Sequence, residues 1–216
     1  MNYSIIQSGI NRSFSKDHPL LINATDNADT LIILGESMRR ALQAVPNLAE
    51  KIVVLIELGT ECLGVHTGEN RGIEGSNVLG FARFCLGDGE ASNLVELVRQ
   101  ANSDPRAIEA AKEIFASAGM QVAVCNDFAG RIIDRLVRPY FNAALRRLDE
   151  GLASADDLDA TLKLGLGYPE GPIALLERTG LHHHFDVTQA LFEAYGEPAY
   201  APARRARVAK QRLEQK

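Results

Sequence analysis

The side chains able to do chemistry are few and scattered in this sequence. His182, His183 and His184 stand in a row, and Cys62, Cys85 and Cys125 are the thiols. Consecutive residues on a helix point ~100° apart, so three adjacent histidines do not converge easily on one ion. They are expected to serve at a helix start, with no metal site. The cysteines are odd in number and lack metal-ligand spacing, which predicts reduced thiols packed as small buried residues. His66 lies in the loop HTGENRGIEG, where a histidine is ordinarily exposed. A phosphate-cradling turn is offered only at Ser8-Gly9-Ile10-Asn11-Arg12, a single glycine without a convincing helix behind it. A dinucleotide turn needs glycines there, so that backbone can approach a pyrophosphate on a helix N-terminus. Asp26 or Asp29 stands ~20 residues on, where an acidic ribose ligand would be, but without the glycine turn neither has a role.

The elements that must position such residues fall into two stretches. Thr30–Leu34 and the run IVVLIEL at 52–58 read as strands buried on both faces. Val78–Phe84, Leu94–Val98 and Gln121–Cys125 are further strands, with Tyr3–Ile6 and Leu20–Ala24 weaker ones. Helices are expected over Glu36–Val45, ended at Pro46, and from Asp104-Pro105 to Gly119. This alternation predicts a mostly parallel sheet over residues 1–126. From Asn126-Asp127 the pattern turns helical. Apolar residues at Ile132, Ile133, Leu136, Val137, Tyr140, Phe141, Leu145 and Leu148 make one face of a long helix that Gly151 stops. Pro139 inside it should kink it or free a carbonyl. Arg131, Arg135, Arg138, Arg146 and Arg147 are expected on its polar side, solvated or paired with Asp149, Glu150 and their neighbours. Ser154 caps the next helix, and Gly165, Gly167, Pro169, Gly171 and Pro172 punctuate the chain before a third. The basic tail PARRARVAKQRLEQK reads as a solvated final helix.

Composition narrows the class. With 46% hydrophobic and 24% charged residues the 216-residue chain is globular rather than disordered. A net charge of −5 gives no electrostatic reason to bind nucleic acid. No apolar run approaches the ~20 residues that span a bilayer, and MNYSIIQSGINRS does not read as a signal peptide. A cytoplasmic protein without a membrane or nucleic-acid partner is expected.

The stretches DFAGRIIDRLVRPYFNAALRRLDEGLASADDLD and GLGYPEGPIALLERTGL resemble the opening of the C-terminal helical domain of the 3-hydroxyacyl-CoA dehydrogenase family. A weaker likeness reaches back to Asp29, with ADTLIILGES, IVVLIELGTECL and GFARF similar to successive strands of that family's Rossmann domain. Residues 1–28 are too short for the family's first nucleotide-binding half. The resemblance therefore implies a reduced, truncated Rossmann-like sheet at 1–126 and a helical, dimerising domain at 127–216.

The family oxidises the 3-hydroxyl of an acyl-CoA with NAD, using a histidine base oriented by a glutamate, with a serine and an asparagine on the substrate oxygens. By the same resemblance Glu96 stands at the glutamate, Asp134 at the asparagine, and Glu61 and Cys62 at a serine pair. Ala82 replaces the histidine, and alanine cannot move a proton. Glu96 and Asp134 are thus the candidate catalytic positions, with no cofactor-binding residues and no metal. The resulting expectation is a relative of acyl-CoA metabolism without its own NAD site, catalytically impaired alone. It would pair as a homodimer or with another 3-hydroxyacyl-CoA dehydrogenase chain, with acyl-CoA a candidate ligand. The alternative is an active NAD-dependent dehydrogenase with relocated residues, His66 among the replacement bases.

Overall fold

The structure, a computed structural model, describes residues 2–215. It divides into a sheet unit, Met1–Phe84 with Ala91–Arg131, and a helical unit, Cys85–Glu90 with Ile132–Lys216. The sheet runs β1 (Ser4–Ser8), β2 (Thr30–Gly35), β3 (Val53–Glu57), β4 (Val78–Arg83), β5 (Leu94–Arg99) and β6 (Gln121–Asn126), in that spatial order. All neighbours are parallel except β4 and β5, so the expected mostly parallel sheet is present. β2 and β3 are buried along their whole length because both faces are covered. On one face Ile32, Leu34, Leu55, Leu79 and Phe81 pack with Leu20 of α1 (Pro19–Ile22) and with Ala111, Ile114 and Phe115 of α4 (Pro105–Ser117). On the other, Leu31, Ile33, Val54 and Ile56 pack with Met38 and Leu42 of α2 (Met38–Gln43) and with Leu63, just before α3 (Gly64–Thr67).

Several local expectations are corrected. Leu20–Ala24 is not a strand: Pro19 opens a helical turn and His18 accepts the Leu20 N–H at 3.2 Å. Asp127 does not open the long helix. Its carboxylate accepts the N–H groups of Leu63 and Gly64 at 2.6 and 2.8 Å, fixing α3 from across the sheet unit. α4 forms as read, with Asp104 accepting the Arg106 N–H at 2.8 Å and Pro105 in its first turn.

The helical unit contains α5 (Ile133–Asp149), α6 (Ala155–Leu166), α7 (Pro172–Thr179), α8 (Leu181–Tyr195) and α9 (Arg204–Glu214). Pro139 has no N–H for the carbonyl of Arg135 one turn back, and the Tyr200 hydroxyl donates to that oxygen at 3.4 Å. Ser154 caps α6 as expected, accepting the Asp157 N–H at 3.1 Å. Asp159 reaches α7 and accepts the Ile173 and Ala174 N–H groups at 2.9 and 2.8 Å. That approach explains Gly171, where an added Cβ would lie 2.2 Å from the Asp159 Cβ. The tail helix α9 is not simply solvated, since Ala206 is buried and Arg204 and Arg205 pair with Asp149 at 2.7 and 2.8 Å. Lys216 lies outside the described residues. Among the described residues, no helix is long and apolar enough to cross a membrane.

Candidate functional site

In open α/β sheets ligands bind at the carboxyl ends of strands where successive connections leave on opposite faces. Such a point exists between β1 and β2. The segment after β1 crosses the face carrying Phe14 and Leu20, whereas α2 after β2 lies on the opposite face. Both connections step the same way across the sheet, so they have opposite hands, and one departs from the usual right-handed rule. The crevice is closed by the chain itself. Ser8 O accepts the N–H groups of Glu36 and Ser37 at 2.9 and 3.1 Å. A Cβ at Gly35 would lie 2.3 Å from that same oxygen. Buried Glu57, at the end of β3, accepts from Gly35 N–H at 2.7 Å, Arg12 N–H at 3.3 Å and the Ser13 hydroxyl at 2.5 Å. A carboxylate therefore occupies backbone donors of the kind that hold a phosphate in a dinucleotide turn. Arg83 holds the same segment by donating to Ser13 O at 2.6 Å.

The positions singled out in the sequence fall as follows in the sheet unit. Ala82 on β4 lies directly across from Glu96 on β5, and both are buried. Glu96 is beside Cys125, whose thiol is pushed up to about 11, chiefly by burial and then by the Glu96 charge. Glu61 and Cys62 stand in the turn after β3. His66, expected to be exposed, is instead mostly buried, with Nε2 3.3 Å from Glu61 Oε1. Burial pushes the Glu61 carboxyl up, but hydrogen bonds from His66 and from the backbone of Glu61 and Gly59 outweigh it and bring it to about 2. Arg131 is not solvated either. It is 5% exposed, adopts a left-handed backbone (φ 50°), and donates to the carbonyls of Gly59 and Glu61.

Asp134 belongs to the helical unit, in the first turn of α5, where Arg138 Nε donates to it at 2.7 Å. Arg138 is 2% exposed, so it too departs from the expected polar side. Its Nη1 lies 3.2 Å from His184 Nδ1, and His184 Nε2 lies 3.0 Å from Asn142 Oδ1. A guanidinium can only donate, so Nδ1 carries the lone pair and Nε2 the proton. Burial, then the Arg138 charge, brings His184 down to about 3, in keeping with that neutral tautomer. The three histidines do not act together. His184 is buried in this network, while His183 meets Asp88 at 3.1 Å and stacks on His182. Among the described residues no group of three or more His, Cys, Asp or Glu side chains could hold a metal ion.

Residues 130–216 match the family described as 3-hydroxyacyl-CoA dehydrogenase, C-terminal domain. This part of the chain is a C-terminal domain of the 3-hydroxyacyl-CoA dehydrogenase family. It is 38% identical over 109 residues to 3-hydroxybutyryl-CoA dehydrogenase of Bradyrhizobium diazoefficiens, which covers 50% of this chain and 37% of that protein. Against the mitochondrial hydroxyacyl-coenzyme A dehydrogenase of Sus scrofa it is 35% identical over 104 residues, 48% of this chain and 32% of that one. The matched region thus spans less than two-fifths of either relative. Among solved structures, 3-hydroxybutyryl-CoA dehydrogenase from Escherichia coli K12 superposes with a TM-score of 0.68 at 25% identity, over 84% of this chain and 39% of that one. The (S)-3-hydroxybutyryl-CoA dehydrogenase of Ralstonia eutropha shares the fold, with a TM-score of 0.69 at 22% identity over 83% of this chain and 64% of that one.

Glu57, Arg131 and the Arg138–His184 contact are not marked in the sequence. An acid ending the apolar run IVVLIEL was the available signal for Glu57, and the i, i+4 spacing of Asp134 and Arg138 was the signal for their pair. Nothing local marks Arg131 or His184 as buried, because their cover comes from distant segments.

Proposed function

We propose that this chain is a relative of the dehydrogenases of acyl-CoA metabolism that has no NAD site of its own. It performs no hydride transfer alone and acts as a partner or dimerisation subunit. One observation carries the reading: Ala82 lies across from buried Glu96, so the glutamate that would orient a base faces a methyl group. The crevice between β1 and β2 supports it, since Glu57 and Ser8 O already take the backbone donors there. Glu96 and Asp134 remain the family's catalytic positions, but the Asp134 carboxylate is engaged by Arg138. For the partner, α6 is 12 residues long and has no buried residue, and Leu164 is 87% exposed, with Leu166 at the helix end and Leu152 just before the helix also exposed. A helix this short is marginal alone, and a second copy or another chain of the family would cover that apolar surface.

An NADH absorbance assay with a 3-oxoacyl-CoA tests the reading, with titrations of NAD and of acyl-CoA and a solution mass. The expected results are turnover at the blank level, no NAD binding and a dimeric mass. Turnover well above the blank that Glu96→Ala abolishes would sink the proposal in favour of an active dehydrogenase using NAD. A monomeric mass at micromolar concentration would refute self-association.

A further inference from the structure

The sheet ends at β1, and among the described residues no strand lies beyond it. The Ser8 carbonyl faces β2, where it accepts the Glu36 N–H at 2.9 Å. Successive strand residues point their backbone groups to opposite sides, so the N–H and C=O groups of Ile5 and Gln7 face outward along the sheet edge. The Tyr3 carbonyl points the same way, and there the chain covers its own edge. Thr25 donates its N–H to that oxygen at 2.8 Å and its hydroxyl at 3.3 Å. Among the described residues nothing does the same for Ile5 or Gln7. Natural edges are commonly blunted by lysine, proline or an inward charge, and Ser4-Ile5-Ile6-Gln7-Ser8 has none of these. Apolar surface adjoins the strand: Ile6 is 39% exposed and Ile10 is 70% exposed. A hollow of about 370 Å³ opens beside it, lined in part by Ser4, Ile6, Ala24, Ala28, Leu31 and Val45.

We propose that β1 is a docking edge for β1 of a second copy of this chain, running antiparallel about a twofold axis at Ile6. In this register Ile5 of each copy stands opposite Gln7 of the other, and each such pair exchanges both of its backbone bonds. Every outward N–H and C=O of the two residues is then met. An axis at Ile5 would bring Gln7 against Tyr3, whose carbonyl Thr25 already holds. An axis at Gln7 would bring Ile5 against Gly9, where the chain has left the strand at φ 106°. With the axis at Ile6, the two Ile6 side chains meet on one face as a closely spaced pair. Ser8 falls opposite Ser4 at the rim of the hollow, so Ile10, two residues on, covers the hollow of the other copy. One short segment thus supplies the donors, the acceptors and the apolar cover, which is what an isologous contact requires. The contact lies in the sheet unit and uses none of the apolar surface of α6, so it goes beyond the proposed function. It is small, and it adds to helical pairing as concentration rises.

The test follows amide hydrogen exchange in the full chain by nuclear magnetic resonance, with the sedimentation mass taken at the same concentrations. The Ile5 and Gln7 amides should slow at least about tenfold between about 10 μM and about 1 mM, as the mass rises. The Ile6 amide faces β2 and is the reference that stays slow throughout. Gln7→Pro removes half of the exchanged bonds, and Ile10→Glu sets a charge against the hollow. Each should abolish the slowing while near-UV circular dichroism stays native. If Gln7→Pro does not fold, Ile10→Glu, at an exposed position, still decides. Exchange equally fast at both concentrations overturns the proposal. So does slow exchange at both that Ile10→Glu leaves unchanged, because the chain would then cover this edge itself. Pairing through the helices leaves these two amides exposed, so failure here leaves the proposed function standing. A monomeric mass at micromolar concentration, which refutes helical pairing, leaves the edge test as it is.

Discussion

His184 should make the helical unit lose stability as pH falls, by an amount its surroundings fix. Its folded value of about 3 lies below the ordinary 6.5 because burial and Arg138 both oppose a positive ring. Between those two values the unfolded chain binds a proton that the folded chain does not. Stability therefore rises with pH through this window and is lost as pH drops below 6.5. From pH 8 to pH 5 the ring contributes roughly 1.5 pH units of linkage at about 1.4 kcal/mol each, or about 2 kcal/mol. The folded value hardly enters at pH 5, provided it stays below ~4. Urea unfolding at both pH values measures the loss, read by tyrosine fluorescence. The chain has no tryptophan, and Tyr3 is the single tyrosine outside the helical unit. His184→Gln is the reference, because its amide can accept from Arg138 and donate to Asn142 without titrating. Carboxylate contributions are common to both proteins and cancel. The wild type should lose about 2 kcal/mol more than His184→Gln. A difference under about 0.5 kcal/mol would falsify the buried neutral imidazole.

Two further substitutions probe the sheet crevice and the helical unit. Glu57→Gln turns an amide N–H₂ toward either the Gly35 N–H or the Ser13 hydroxyl, both now held by carboxylate oxygens. It should cost about 2–3 kcal/mol in urea unfolding, and a loss below about 0.5 would show that Glu57 does not hold the segment after β1. Gly171→Ala forces a methyl group onto Asp159 and uncaps α7. A loss of about 2 kcal/mol is expected, the cap plus the displaced backbone, and an unchanged melting temperature would contradict that contact.

Much of the architecture is legible in the sequence. The apolar runs of β2 and β3 read as strands because burial on both faces removes polar alternation, and Asp104-Pro105 and Ser154 announced α4 and α6 through local capping. Such signals lie within a few residues of the structure they direct, and the family's helical pattern is built from them. The reading failed where a partner comes from far along the chain. Leu20–Ala24 looked strand-like until Pro19 and His18 set a helical turn, and Asp127 looked like a helix opener until it was found capping α3, more than sixty residues earlier.

By itself, then, the sequence determined the mostly parallel sheet followed by helices, the family likeness of the helical region and the alanine at position 82. Hydrophobic period, caps and motif order are properties of the linear chain. Only the tertiary structure decided what the polar residues do: Glu57 closing a crevice, Arg138 buried between Asp134 and His184, His66 turned inward onto Glu61. A charged side chain looks the same in sequence whether water or a buried partner satisfies it. Which one does depends on surfaces that meet only when the chain has folded.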